Sequence, residues 1–352
     1  MSLHLNRADH GTPSTLQSLS SSHDLPQPEE GIWQAGDGAC LRYAHWQTTA
    51  APRRGRVLFL NGRTEFIEKY LESYADLVRS GLDLWSLDWR GQGLSDRALA
   101  DPQKGHISDY QTYLDDLTGF VQDITDLPNS DGPNIILAHS MGGHIGLRFL
   151  HDHPGLIECA VLLAPMIDIP AHQPPIRWLN KAIKQAGFAT SYVWGSGPYK
   201  PVFNNPDDPD DNGTIEDYQA RLSSFEKLST DPQRRAILER HVRDNPDLAL
   251  GGPTSGWLDA TFRSIKVTMA PGFAEAIETP ILMLGGASDK VVVNAALRKM
   301  ATRLPKGDFR LIANAAHELL LENDDVRLDT FRAISAWIDV EIAPLSDQRR
   351  SA

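Results

Sequence analysis

The sequence has little cysteine, no long apolar run and no excess of positive charge, and each shortage removes a class of function. Cys40 and Cys159 are the only cysteines in 352 residues. Two isolated thiols cannot build a disulfide framework and have no metal-ligand spacing, which suits a reducing compartment such as the cytoplasm. No stretch of about 18 apolar residues occurs, so no segment reads as a membrane-spanning helix. The first residues lack a basic start followed by an apolar stretch and do not read as a secretory signal. With 34 Lys and Arg against 46 Asp and Glu, the net charge of -12 repels polyanions, and nucleic acid is not an expected partner.

What is present is the composition of a chain that can bury a sizeable core, 41% hydrophobic and 23% charged. Residues 1–28 are rich in Ser and Pro without periodicity and read as a flexible arm. Two strand-like runs flanking Gly36-Asp37-Gly38 predict an antiparallel opening hairpin. Short apolar runs at 56–60, 83–88, 134–138, 160–164, 281–284 and 309–312 then alternate with helical patterns near 66–79, 109–126 and 142–152. That alternation predicts an α/β fold with a mostly parallel, doubly wound sheet. It breaks between 170 and 276, where an acidic Pro-containing loop at 205–212 and helical patterns predict a helical cap. The expected division is thus a core of 29–169 and 277–345 with the cap inserted at 170–276.

Ala138-His139-Ser140-Met141-Gly142 follows a buried apolar run and opens a helix. A serine nucleophile on a sharp strand-to-helix turn needs small residues two before and two after it. Ala138 stands where Gly is usual, and the pattern alone recurs by chance. Its position between a strand and a helix carrying Gly142, Gly143 and Gly146 gives it weight; the plainer reading is a Ser helix cap. A serine hydroxyl needs a base, and the base needs an acid to orient it. In this arrangement the chain order is Ser, acid, His. His317, beyond the last strand, is the expected base, and His241 falls inside the cap. Asp289, just after the 281–284 run, is the expected acid, with Asp168 after the preceding strand as the alternative. The oxyanion needs backbone N–H donors, for which Met141 and Arg63 are the candidates. Glu65 is also read as favouring a helix N-terminus. The segment Asp88-Trp89-Arg90-Gly91-Gln92-Gly93 lacks a phosphate-loop pattern and reads as a structural turn.

Residues 176–188 form an amphipathic pattern, with Ile176, Trp178, Leu179, Ala182, Ile183 and Ala186 on one face and Arg177, Lys181 and Lys184 opposite. The apolar face either packs on the domain below or touches an anionic lipid surface.

These blocks, with Asn61-Gly62-Arg63-Thr64-Glu65, Lys104-Gly105-His106, Gly251-Gly252-Pro253-Thr254, Trp257 and His317-Glu318, resemble the lysophospholipase and monoacylglycerol lipase branch of the α/β hydrolases, the bacterial lysophospholipases especially. Many relatives have His-Gly where this chain has Asn61-Gly62. The resemblance implies a triad of Ser140, Asp289 and His317, and a cap that shapes an acyl-chain pocket. Trp257 and Trp178 are candidate substrate contacts. The expected activity is hydrolysis of a single-chain lipid ester, a lysophospholipid or monoacylglycerol, through an acyl-enzyme, with no metal and no organic cofactor. Peripheral contact with membrane lipid is compatible with it. Hydrolysis of another ester, an amide or a peptide, carbon–carbon cleavage and acyl transfer use the same triad and remain alternatives, as does a non-catalytic ligand-binding relative.

Overall fold

Residues 14–129, 132–201 and 225–350 are described in the computed structural model. Ahead of the sheet lies a helix, α1 (Ser14–Ser22), where composition predicts a flexible arm. Leu16 is only 2% exposed and Ser20 is buried, its hydroxyl accepting the Trp46 indole N–H at 3.3 Å. A short Ser-rich helix has weak intrinsic propensity, so it is this docking on the core that orders it. Residues 1–13, the rest of that arm before the helix, lie outside the described residues.

The predicted hairpin forms from β1 (Glu29–Gln34) and β2 (Cys40–Trp46), antiparallel, with Gln34 opposite Cys40. Six further strands follow: β3 (Gly55–Leu60), β4 (Leu82–Leu87), β5 (Asn134–His139), β6 (Cys159–Leu163), β7 (Ile281–Gly286) and β8 (Gly307–Ile312). They lie in the order β1-β2-β4-β3-β5-β6-β7-β8. β2 pairs antiparallel with β4, and every pair from β4 to β8 is parallel. β3 to β7 are buried along their whole length, which is why they read as continuous apolar runs instead of alternating ones. The edge strand β8 buries only Ile312. Helices α2 (Leu71–Arg79), α3 (Gln111–Asp123) and α4 (Ser140–Asp152) supply the crossovers of the first half.

Between β6 and β7 the described residues hold helices and no strand: α5 (Pro174–Gln185), α6 (Pro232–Asp244) and α7 (Ser255–Thr268). Helix α7 is not separate from the sheet domain, because Trp257, Leu258, Ala260 and Phe262 join the main hydrophobic core. The loop at 205–212 lies outside the described residues. After β7 come α8 (Asn294–Ala301) and α9 (Asp324–Arg350). No helix among the described residues is long and apolar enough to cross a membrane.

Candidate active site

Ser140 sits where β5 turns into α4. His139 before it is extended, with φ −111° and ψ 137°, and Ser140 itself takes φ 50°. A left-handed conformation at a residue with a Cβ is strained by about 1 kcal/mol or more and persists only where the surroundings fix it. They do so here by close backbone approach. A Cβ at Gly142 would collide with the carbonyl oxygens of Leu60 and Asn61, so only glycine lets the elbow close against the end of β3. Ala138, two residues before the serine, is fully buried and accommodated.

The parallel sheet delivers the other candidates to the same edge, since β5, β7 and β8 all point their C-terminal ends there. His317 Nε2 lies 2.9 Å from Ser140 Oγ, and His317 Nδ1 lies 2.8 Å from Asp289 Oδ2. A carboxylate can only accept, so Nδ1 carries the imidazole proton and Nε2 presents its lone pair to the serine hydroxyl. The second Asp289 oxygen accepts the Val291 and Val292 N–H groups at 2.7 and 3.1 Å. Burial acts to raise the Asp289 pKa, but its bond to His317, the attraction of that ring and the two backbone donors outweigh it and lower the pKa. The acid therefore stays ionised opposite the imidazole.

Asp168, the alternative acid, is engaged elsewhere: its Oδ1 meets His172 Nδ1 at 2.8 Å. His241 packs edge-on against Phe66, at a ring separation of 6.0 Å.

Met141 is the second residue of α4, so its N–H has no acceptor one turn back within the helix. In the loop after β3, the Gly62 N–H is taken by Glu65 Oε2 and the Thr64 N–H donates to Gln92 Oε1 at 3.1 Å. The Arg63 N–H between them has no such partner among the described residues. Gln92 also donates to the Gly62 carbonyl at 2.9 Å, and the Trp89 indole N–H to the Asn61 carbonyl at 2.7 Å. The turn at 88–93 thus braces the loop that carries Arg63.

Sequence reasoning missed a second buried group around these residues. His139 Nδ1 lies 3.0 Å from Glu65 Oε1, and its Nε2 lies 3.1 Å from the His317 carbonyl. Both ring nitrogens face acceptors, so both must carry protons. Burial opposes that charge, but Glu65 beside the ring outweighs it and raises the His139 pKa. Lys69 Nζ bridges Glu65 at 3.1 Å and Glu318 at 2.6 Å, and the Tyr70 hydroxyl donates to Glu65 at 2.9 Å. Two cations and two carboxylates balance in a dry interior and tie together the loop after β3, the serine elbow and the His317 loop. The signal for it was Glu65, His139 and Glu318 standing one or a few residues from the site candidates.

The two Trp candidates part company. Trp257 is buried in α7, with the Arg63 guanidinium 5.3 Å from its ring centroid. Trp178 is 74% exposed on α5. Among the described residues no group of three or more His, Cys, Asp or Glu could hold a metal ion.

An eight-stranded, mostly parallel sheet with a serine on a strand-to-helix elbow is the α/β-hydrolase fold. Residues 51–324 match the family described as serine aminopeptidase, S33; the chain belongs to that family and is a serine hydrolase. It is 32% identical to lysophospholipase L2 of Escherichia coli over 329 residues, covering 90% of this chain and 89% of that one. A Haemophilus influenzae protein named "Probable lysophospholipase L2" is 31% identical over 303 residues, 86% of this chain and 89% of its own length. A crystal structure of a soluble variant of monoglyceride lipase from Saccharomyces cerevisiae shares the fold, with a TM-score of 0.68 at 19% identity over 90% of this chain and 96% of that one.

Proposed function

We propose that the protein hydrolyses single-chain lipid esters by acyl transfer to Ser140. The observation that carries this reading is the continuous line from Ser140 Oγ through His317 to Asp289, at 2.9 and 2.8 Å. Its support on the substrate side is the likeness to proteins named lysophospholipase and monoglyceride lipase. Ser140 Oγ attacks the ester carbonyl carbon as His317 Nε2 takes the hydroxyl proton, and Asp289 stabilises the imidazolium. The N–H groups of Met141 and Arg63 hold the oxyanion. On collapse, His317 gives the proton to the departing glyceryl oxygen. Water then attacks the acyl-enzyme, His317 takes its proton and returns one to Ser140, and a fatty acid leaves. No step calls for a cofactor.

The reading is tested with a panel of lysophosphatidylcholine, monoolein and an amino-acid arylamide. Fatty acid release from the two lipids, with little or no arylamine release, is expected. Preferential cleavage of the arylamide moves the function to peptides.

The same reading includes docking of α5 on an anionic lipid surface. The helix buries only Asn180 and leaves Trp178 and Leu179 open, and after it in the chain Phe188 is 58% and Trp194 88% exposed. Arg177 and Lys181 are exposed on the same helix, in an otherwise acidic protein. Exposed Trp and Phe flanked by cations match a phospholipid interface, not an aqueous one. Wild type is expected to co-sediment with vesicles containing anionic phospholipid. Reversing the charges at Arg177 and Lys181 should weaken that binding by about 1 kcal/mol or more per charge, whereas Lys184 is already paired with Asp259 at 2.5 Å. Absence of vesicle binding by both proteins would reduce α5 to a solvated helix.

A further inference from the structure

Arg63 is used twice by the fold, and its side chain is only partly accounted for. Its backbone N–H is the proposed oxyanion donor, while its guanidinium reaches Gly251, whose carbonyl accepts from Nη2 at 2.6 Å. Its Cζ lies over the Trp257 ring, 5.3 Å from the centroid. A ring over the face of a guanidinium leaves the N–H donors at its edge available. One carbonyl occupies one of five such donors, and the buried Nε has no partner among the described residues.

Among the described residues no carboxylate pairs with this cation. The nearest acid in sequence, Glu65, is committed to His139, Lys69, Tyr70 and the Gly62 N–H. Burial pushes the Arg63 pKa down to about 10, which still leaves the group charged at neutral pH. Arg42 is neutralised by Glu68 and Asp88, and Arg90 by Asp116 and Asp37, whereas Arg97, like Arg63, reaches only carbonyl oxygens. A partly buried cation without a counter-charge is costly, and clamping one carbonyl does not require it.

We propose that the Arg63 guanidinium binds the phosphate of a lysophospholipid head group, and so selects phosphorylated glyceryl esters over neutral monoacylglycerols. The assignment rests on the lipid-ester reading above and adds the head group to it. The guanidinium stands one arginine side chain from the N–H that serves the oxyanion. That reach is comparable with the glyceryl spacer between the ester carbonyl and the phosphorus of a lysophospholipid. An arginine edge matches a phosphate with two parallel N–H···O bonds, whereas a glycerol hydroxyl offers no charge to it. The Gly251 carbonyl and the Trp257 ring already hold the side chain, so little rotamer freedom is lost when the phosphate arrives.

The test compares kcat/KM for an oleoyl lysophospholipid and for monoolein, in the same micelles, for wild type, Arg63→Met and Arg63→Lys. Both variants keep the backbone N–H. The ratio of lysophospholipid to monoolein turnover is expected to fall about tenfold or more in Arg63→Met, and by less in Arg63→Lys, which keeps the charge but loses the planar fork. An equal loss on both lipids, leaving the ratio where it was, overturns the assignment and makes Arg63 a clamp for Gly251. Should Arg63→Met show no cooperative melting, Arg63→Lys decides alone, since an unchanged ratio there overturns the assignment too. Wild type that cleaves p-nitrophenyl butyrate but neither lipid overturns the lipid-ester reading itself. That outcome is distinct from a lipid hydrolase whose preference is indifferent to Arg63.

Discussion

Replacing Ser140 with Ala is expected to lower kcat on every ester substrate by about 10⁴ to 10⁶ and to abolish covalent labelling by a fluorophosphonate. The change removes one oxygen, the atom 2.9 Å from His317 Nε2. The strained turn stays, because Ala at φ 50° meets the same Cβ penalty as Ser. Gly142 against Leu60 and Asn61, and the buried charges around His139, are untouched. The fold should therefore survive with a small change in stability, and loss of rate should not be loss of structure. Residual catalysis, from the oxyanion donors and substrate binding, should exceed the uncatalysed rate. Intact-mass analysis after probe treatment reports the covalent bond, and thermal melting reports the fold. Undiminished turnover in a labelling-dead Ser140→Ala variant would remove the acyl-enzyme from the mechanism.

Much of this was legible in the sequence because parallel strands buried on both faces write themselves as unbroken apolar runs. The runs at 56–60 and 160–164 locate β3 and β6 to within one residue at each end. Gly55 and Cys159 add to those strands only through backbone pairing with Leu82 and Ile135, which side-chain pattern does not reveal. The positions of Ser140, Asp289 and His317 were legible for the same reason, since each residue follows a recognisable strand. Helix α1 was not, because its order comes from Trp46 and the core, not from its own residues. The group around His139 was not, because its bonds join residues 74 and 249 positions apart. An amphipathic pattern at 176–188 describes a packed helix and an open one equally well. Only the exposure of Trp178 and Leu179 separates the two.

The choice of acid gives the second large effect. Asp289→Asn should lower kcat by about 10³ to 10⁴, with a much smaller change in KM, whereas Asp168→Asn should stay within a few-fold of wild type. An Asn at 289 keeps one oxygen, which the Val291 and Val292 N–H groups already hold. The group then left facing His317 is an amide NH₂, a donor. A donor there favours the tautomer with the proton on Nε2, so the atom next to Ser140 can no longer accept the hydroxyl proton. The missing negative charge also leaves the imidazolium unsupported in a site where His317 and Asp289 are both buried. Raising the pH does not restore the lost tautomer, so the deficit in Asp289→Asn should persist across the pH range in which wild type is active. Asp168 instead faces His172, on a 3-10 turn that leads into α5, and its neutralisation disturbs that turn alone. Steady-state kinetics on one ester substrate for the two variants, read across pH, ranks the acids. A larger deficit in Asp168→Asn would require a histidine loop that moves away from Asp289 before it can act, contrary to the 2.8 Å bond that holds it there.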